Sequence, residues 1–174
     1  MLDITSLSNG KSGIRMTKAE AVFLELLQIA LGNRNCLSEP CTDEMWEEVY
    51  ATVKKQAMVG VTFYAVKRLP ADQMPPKRRK YQWALKVLEI EEKNKKICRE
   101  CQIVTKLFDE AGFQSCVLKG QSNLFFYPAS LRMMRQPGDI DLWVFRKEGD
   151  DSGKPFHKRE TIDFIWKRMG KRTE

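Results

Sequence analysis

The sequence contains a single histidine and no long apolar run. A Ser-His-Asp or Cys-His hydrolase needs a histidine beside its nucleophile. Here His157 follows Pro155 at the start of a predicted helix, which gives a hydrolase of this kind little support. No stretch approaches the roughly 20 apolar residues that cross a bilayer, and residues 1–13 lack the apolar segment of a signal peptide. We therefore expect a cytoplasmic protein without a membrane partner.

The cysteines show no disulfide pattern. Five cysteines, an odd number, in a chain without an export signal predict reduced thiols. Cys98 and Cys101 have the spacing of a zinc knuckle, but Cys101 falls on the apolar stripe of a predicted helix, and a zinc site needs two more ligands. Buried structural thiols are the favoured interpretation.

Basic residues outnumber acidic ones, 30 against 23, and the net charge of +7 favours anionic partners such as nucleotides or nucleic acid. Most of the basic residues lie in segments with helical periodicity. Solvated helix faces explain that distribution better than a nucleic-acid-binding stripe does. A basic helical nucleic-acid-binding protein therefore remains an alternative that is not favoured.

With 174 residues, the chain can form one domain, or a small catalytic core with a helical companion. Capping residues, periodicity and breakers predict the first helices. These helices run from Thr17 to Leu31, from Thr42 through Val53, from Val61 to Leu69 after a break at Gly60, and from Pro75 to Ala111.

Apolar spacing predicts which side of these helices is buried. The first helix should bury Ala21, Leu24, Leu27, Ile29 and Leu31, and the fourth should bury Tyr81, Leu85, Leu88, Ile97, Cys101, Val104 and Phe108. The polar run 91–96 predicts a solvent-exposed waist or a kink in the fourth helix.

The pattern changes beyond Gly112. A strand is predicted from Gln114 to Leu118, a short helix from Gln121 to Tyr127, a second strand from Asp139 to Phe145, and a final helix from Pro155 to Met169. This order indicates a mixed α+β fold, with a helical N-terminal region packed on a small sheet core. The predicted organisation is a flexible lead-in at 1–16, a helical region at 17–100 and the core at 101–174.

The strand GDIDLWVF carries the candidate chemistry. Side chains alternate across a sheet, so Asp139, Asp141, Trp143 and Phe145 are predicted to share one face. The Cα atoms of Asp139 and Asp141 would lie roughly 6.5 Å apart, which allows the two carboxylates to share a cation. Hard oxygen ligands of this kind suit Mg²⁺. A bare Asp-x-Asp is nevertheless more often an ordinary strand edge.

A second feature lies upstream, where Gly120 follows a predicted strand and precedes a predicted helix. Backbone N–H groups at such a junction can receive a phosphate. Lys119 and Ser122 are placed to assist. Taken alone, a glycine at this kind of turn usually serves backbone geometry.

Together, residues 118–144, LKGQSNLFFYPASLRMMRQPGDIDLWV, closely resemble an uncharacterised bacterial nucleotidyltransferase family of the superfamily that includes DNA polymerase β. The resemblance covers the Leu-Lys-Gly turn, Tyr127-Pro128, an arginine four residues before the first acid, and the Gly-Asp-Ile-Asp strand. The helical segment 46–69 is also similar to that family's N-terminal region, although less distinctively.

The resemblance implies an enzyme that transfers a nucleoside monophosphate from an NTP, with ATP the expected donor, to an unidentified hydroxyl. Asp139 and Asp141 would be the catalytic residues and would hold Mg²⁺ or Mn²⁺. Gly120 and Ser122 would line the triphosphate site, with Lys119 assisting. Arg135 matches the family's arginine, and its guanidinium would pair with phosphate. Arg132 is an alternative for the same role, and a surface position explains it equally well.

The sequence departs from the superfamily pattern in one respect. A third carboxylate usually lies on a later strand and acts as base toward the acceptor hydroxyl, but no such strand is predicted after the final helix. Asp163 falls within that helix and does not match the expected position. Two expectations stay open: a core incomplete at the C-terminus, or an inactive relative that serves as a nucleotide-binding or regulatory module.

Overall fold

The computed structural model describes residues 16–146 together with Asp163 and Lys167. All but the last residue of the expected lead-in lies outside the described residues. So does most of the predicted helix 155–169, within which Asp163 and Lys167 are helical and exposed. The described residues form four α-helices and a two-stranded antiparallel sheet, which confirms the predicted α+β class. None of the described helices is both long and apolar enough to cross a bilayer.

The chain divides into two compact units. Unit 1 comprises Met1–Glu89 and Met134–Gln136, and unit 2 comprises Ile90–Met133 and Pro137–Glu174. The four helices are α1 (Lys18–Ala30), α2 (Asp43–Lys55), α3 (Val59–Val66) and α4 (Lys77–Glu110). The strands are β1 (Phe113–Leu118) and β2 (Asp141–Arg146), and short 3-10 helices cover Ala71–Gln73 and Ser122–Phe126.

Local signals set the helix ends. Thr17 and Glu20 form the predicted capping box, in which each side chain accepts a hydrogen bond from the other residue's backbone N–H, at 3.2 and 2.7 Å. Gly32 and Gly112 follow α1 and α4 with φ values of +81° and +84°, which a residue without a Cβ adopts at no steric cost. The predicted starts and stops of α1 and α4 are confirmed to within two residues.

Trp83 organises the core of unit 1. Its indole Nε1 donates a hydrogen bond of 2.9 Å to the carbonyl oxygen of Val59, the first residue of α3. The ring meets Trp46 and Tyr50 of α2 edge-on, with centroids 6.2 and 5.1 Å apart. Trp83 is fully buried. One aromatic side chain thereby joins α2, α3 and the first part of α4.

Two of the predicted buried faces are wrong in part. In α1, only Ile29 of the predicted set is buried, and the face consists of Ala19, Phe23, Leu26, Ile29 and Ala30. In the first part of α4, Tyr81, Leu85 and Leu88 are exposed, whereas Trp83 and Val87 are buried. Both segments carry apolar residues on more than one side, so the periodicity alone does not select the side that meets the core.

Gly60 lies inside α3, and the break predicted near it falls a few residues earlier. The break falls at Ala57, whose φ is +55°. A Cβ built on Gly60 would lie 2.0 Å from the carbonyl oxygen of Met134, which also belongs to unit 1. The glycine is therefore needed because another part of the backbone passes against the helix at this point.

The sheet of unit 2 pairs β1 with β2 in antiparallel fashion, from Phe113 opposite Arg146 to Leu118 opposite Asp141. Because β1 ends at Leu118, Asp139 has no partner residue and precedes the strand. The predicted start of β2 at Asp139 is therefore wrong by two residues. Asp141, Trp143 and Phe145 nevertheless alternate along β2 onto one face, as predicted.

The later part of α4 packs in unit 2 as predicted, with Ile97, Cys101 and Phe108 buried and Val104 half-buried. Phe108 meets Phe113 of β1 edge-on, at 6.1 Å between ring centroids. The solvent-exposed waist expected at 91–96 is confirmed in part: residues 92, 93, 95 and 96 are exposed, whereas Glu91 is half-buried and Asn94 is completely buried.

Substitution of Gly60 by alanine should lower the stability of the protein by about 1–2 kcal/mol, which is the net of two opposing effects. Overpacking against the Met134 backbone outweighs the gain of about 1 kcal/mol in helix propensity. Urea unfolding followed by circular dichroism measures the change. Gly138→Ala is the matched control, since a Cβ there meets nothing within 4 Å. Equal stability of the two variants would contradict the close approach of Met134 to α3.

Candidate functional site

A strained turn follows β1. Lys119 and Gly120 both adopt positive φ values, +32° and +47°. A non-glycine residue rarely does so, and such strain persists only where the surroundings enforce it. The carbonyl oxygen of Lys119 accepts hydrogen bonds from the backbone N–H of Ser122 at 3.0 Å and from its hydroxyl at 2.9 Å. These two bonds hold the turn closed.

The turn is also anchored to α4 by buried amides. The side-chain amide of Gln121 donates to Asn94 Oδ1 at 3.3 Å and to the Cys98 thiol at 3.5 Å. Asn94 donates in turn to the carbonyl oxygens of Ile90 and Met133, at 3.2 and 2.8 Å. Sequence reasoning missed both amides. No pattern in the polar run around Asn94 marks it as buried, since only the tertiary contact distinguishes it from its neighbours.

The turn lies beside Asp141. Leu118 is paired with Asp141 in the sheet, and the ammonium Nζ of Lys119 lies 3.0 Å from Asp141 Oδ2. The Lys119 side chain is 68% exposed and that of Asp141 is 33% exposed. Solvent therefore limits the contribution of this pair to stability to at most about 1 kcal/mol. The Asp141 carboxylate remains accessible to a ligand, with a positive charge next to it.

The remaining candidate residues occupy different positions. Asp139 is exposed and lies two residues before Asp141, outside the sheet. Ser122 is half-buried in the turn. Arg135 is half-buried and belongs to the segment 134–136 of unit 1, so its predicted role at phosphate stays a prediction. Arg132 of unit 2 has a buried Nε that makes no hydrogen bond within the described part of the chain.

Asp139 and Asp141 fit a hard divalent cation through their chemistry, since carboxylate oxygens and water are the ligands that Mg²⁺ prefers. Across residues 16–146 and the two later described positions, no three His, Cys, Asp or Glu side chains converge as a metal-binding group. The third carboxylate of the superfamily pattern is therefore not found among the described residues. His157 lies outside them.

The cysteines do not form a site. All five are free thiols in the structure, as predicted. Burial raises the pKa of the Cys101 thiol, the nearby Cys98 acts in the same direction, and the thiol is therefore held in its neutral form. Cys98 accepts the Gln121 hydrogen bond. The Cys-x-x-Cys spacing thus serves packing of α4. The expectation of buried thiols is confirmed only for Cys101, since Cys41 and Cys98 are half-buried and Cys36 and Cys116 are exposed.

Replacement of Asn94 by alanine should destabilise the protein by about 1–3 kcal/mol, because Met133 and Gln121 would each lose a buried hydrogen-bond partner. Denaturant unfolding of the variant measures this loss. Asn123→Ala provides the control, since Asn123 is exposed on the neighbouring 3-10 helix. Its effect should stay within about 0.5 kcal/mol. A similar small effect for Asn94→Ala would show that the amide network does not hold the turn.

Comparison with known proteins gives a family match. A family model described as an uncharacterised nucleotidyltransferase matches residues 42–154, which is more than half of the chain. The match includes α2, α3, α4, the Lys119–Gly120 turn and β2. No curated protein and no solved structure matches the chain. The chain therefore belongs to this family of uncharacterised nucleotidyltransferases.

Proposed function

We propose that the chain is a metal-dependent transferase of the DNA polymerase β-like superfamily that moves a nucleoside monophosphate from an NTP, with ATP the expected donor, to a hydroxyl acceptor. The acceptor oxygen forms a bond to the α-phosphorus, and the bond from that phosphorus to the pyrophosphate oxygen breaks. Pyrophosphate leaves with the electron pair, and the hydroxyl proton passes to solvent. Family membership supports the nucleotidyl transfer itself.

The contact between Lys119 and Asp141 carries the proposal. The distance of 3.0 Å between Lys119 Nζ and Asp141 Oδ2 puts a carboxylate, an ammonium group and the Gly120 backbone within one small region of unit 2. Nucleotidyl transfer needs those three elements together, because a carboxylate holds a cation while positive and N–H groups receive the phosphates. The pairing of Leu118 with Asp141 supports the persistence of this arrangement, since sheet register is strongly specified where one face is packed.

Asp139 and Asp141 would hold Mg²⁺ or Mn²⁺. The ion supplies charge that neutralises the phosphates and favours attack at the α-phosphorus. Lys119 now neutralises Asp141. With a cation held at Asp141, the Lys119 ammonium would turn toward the phosphates, and its four-carbon side chain has the reach for such a move.

Gly120 and Ser122 would bind the triphosphate tail. Gly120 presents its backbone without a Cβ, so a phosphate oxygen can approach closely. The Ser122 hydroxyl now donates to the carbonyl oxygen of Lys119. A phosphate can only accept a hydrogen bond, so the hydroxyl would have to rotate toward it. The carbonyl oxygen would keep its bond from the Ser122 backbone N–H. Arg135 is proposed as a further phosphate partner.

Asp141→Asn should abolish nucleotidyl transfer, measured as incorporation of label from α-phosphate-labelled NTP in the presence of Mg²⁺. Loss of the carboxylate charge should lower the rate by about 100-fold or more, since cation stabilisation of a transition state contributes several kcal/mol. Asp139→Asn should behave in the same way. Asp72→Asn, an exposed acid on the 3-10 helix of unit 1, should retain wild-type turnover. Unchanged transfer by Asp141→Asn would overturn the assignment of the acid pair.

A nucleotide-binding or regulatory module without turnover is the second candidate. The observation that favours it is the missing third carboxylate among the described residues. This module should gain thermal stability from Mg²⁺ and ATP in the wild type without transferring label to any acceptor. The enzyme should show both effects. A wild-type protein that gains no stability from Mg²⁺ and ATP would count against both candidates.

A further inference from the structure

The sheet face that carries Asp141 is exposed and mostly apolar. Paired residues of an antiparallel sheet project to the same side. The face therefore consists of Leu118 and Asp141, then Cys116 and Trp143, then Gln114 and Phe145. The side chain of Trp143 is 64% exposed, and those of Leu118 and Phe145 are both 41% exposed. Asp141 is the one charged residue of these three pairs. The rest of the face suits a neutral ligand group with a large apolar surface.

Trp143 is exposed in a chain that buries its other described tryptophans. Trp46 and Trp83 are 1% and 0% exposed and belong to the core of unit 1. Packing among the described residues therefore does not account for an indole at position 143, since exposing a large aromatic surface to water is unfavourable. Exposed aromatic side chains of this kind are commonly binding groups, because their flat faces stack on planar ligands.

The indole is supported by its neighbour. Trp143 and Phe145 meet edge-to-face, with ring centroids 6.1 Å apart and an angle of 61° between the planes. This arrangement is favourable for two aromatic rings and restricts the rotation of both. The support lies along the strand on the side away from Asp141. A ring that stacks on Trp143 therefore finds a partly oriented surface, which lowers the entropic cost of binding.

Three features follow one another along the sheet face. The Lys119–Gly120 turn comes first, Asp141 lies beside it, and Trp143 lies two residues further along β2, at roughly 6.5 Å between Cα atoms. An NTP has the same order of parts. Its terminal phosphates come first, the α-phosphate follows, and one sugar then leads to the planar base.

We propose that Trp143 stacks on the base of the bound nucleoside triphosphate. The inference rests on the proposed function, because it takes the turn and Asp141 as the place of the phosphates. Stacking uses the π-face that every base has, and the strand residues beside Trp143 on this face, Cys116 and Phe145, carry no charge. The site should therefore bind ATP, GTP, CTP and UTP with affinities within a few-fold of one another.

Isothermal titration calorimetry with Mg²⁺ present tests the assignment, using ATP and inorganic tripolyphosphate as two ligands. Tripolyphosphate carries the charge of the phosphate tail without sugar or base. Trp143→Ala should bind ATP about tenfold more weakly than the wild type, within the range found for loss of one base–aromatic stack. Its affinity for tripolyphosphate should not change. Trp143→Phe should recover most of the ATP affinity, because it keeps an aromatic face.

Tyr81→Ala is the matched control, since Tyr81 is an exposed aromatic side chain, at 72%, on the first part of α4. It should bind both ligands as the wild type does. Equal ATP affinity of Trp143→Ala and the wild type would overturn the base-stacking role and leave the proposed function standing. Equal losses for ATP and tripolyphosphate would also overturn it, since the base would then contribute nothing. If neither ATP nor tripolyphosphate binds to the wild type, the proposed function and this inference are overturned together.

Discussion

The antiparallel pairing of β1 with β2 is the constraint on which the candidate site depends. Its last pair joins Leu118 to Asp141, so the residues that follow Leu118 must turn beside that acid. Successive side chains of a strand point to opposite faces, and a slip of one residue would therefore turn Asp141 and Trp143 away from the exposed side. Register thus decides at once where the acid, the Lys119 ammonium and the indole lie.

The turn itself needs support from outside the sheet. A positive φ value is unfavourable for Lys119 and neutral for Gly120, which has no Cβ. The conformation of Lys119 persists because neighbouring groups impose it. Two bonds from Ser122 close the turn, and the Gln121 amide fastens it to Asn94 in α4. Loss of one partner from a buried amide pair is strongly destabilising, because the other partner would remain as an unsatisfied polar group. A long helix and a short strand thereby hold the Lys119–Gly120 turn.

The sequence indicated which residues form the candidate site better than it indicated their geometry. The acid pair, the glycine turn and the alternation of Asp141 with Trp143 all follow from residue types at short spacing. The family match supports the nucleotidyltransferase class, and the roles of the individual residues stay predictions. The placement of Asp139 before the strand did not follow. The start of β2 depends on where β1 ends, because a residue of β2 needs a pairing residue in β1. The last pairing residue, Leu118, is far from Asp139 in the sequence. The Lys119–Asp141 contact has the same origin.

The sequence by itself determined the order of the described elements, the capping box of α1 and the ends of α1 and α4. Such features depend on groups within a few residues of one another, as the Thr17 capping box shows. The tertiary structure alone decided which side of α1 faces the core, why Gly60 cannot carry a Cβ, and that Asn94 is buried. Each of these is set by contact with a distant segment, and a periodic pattern with several apolar sides does not contain that information.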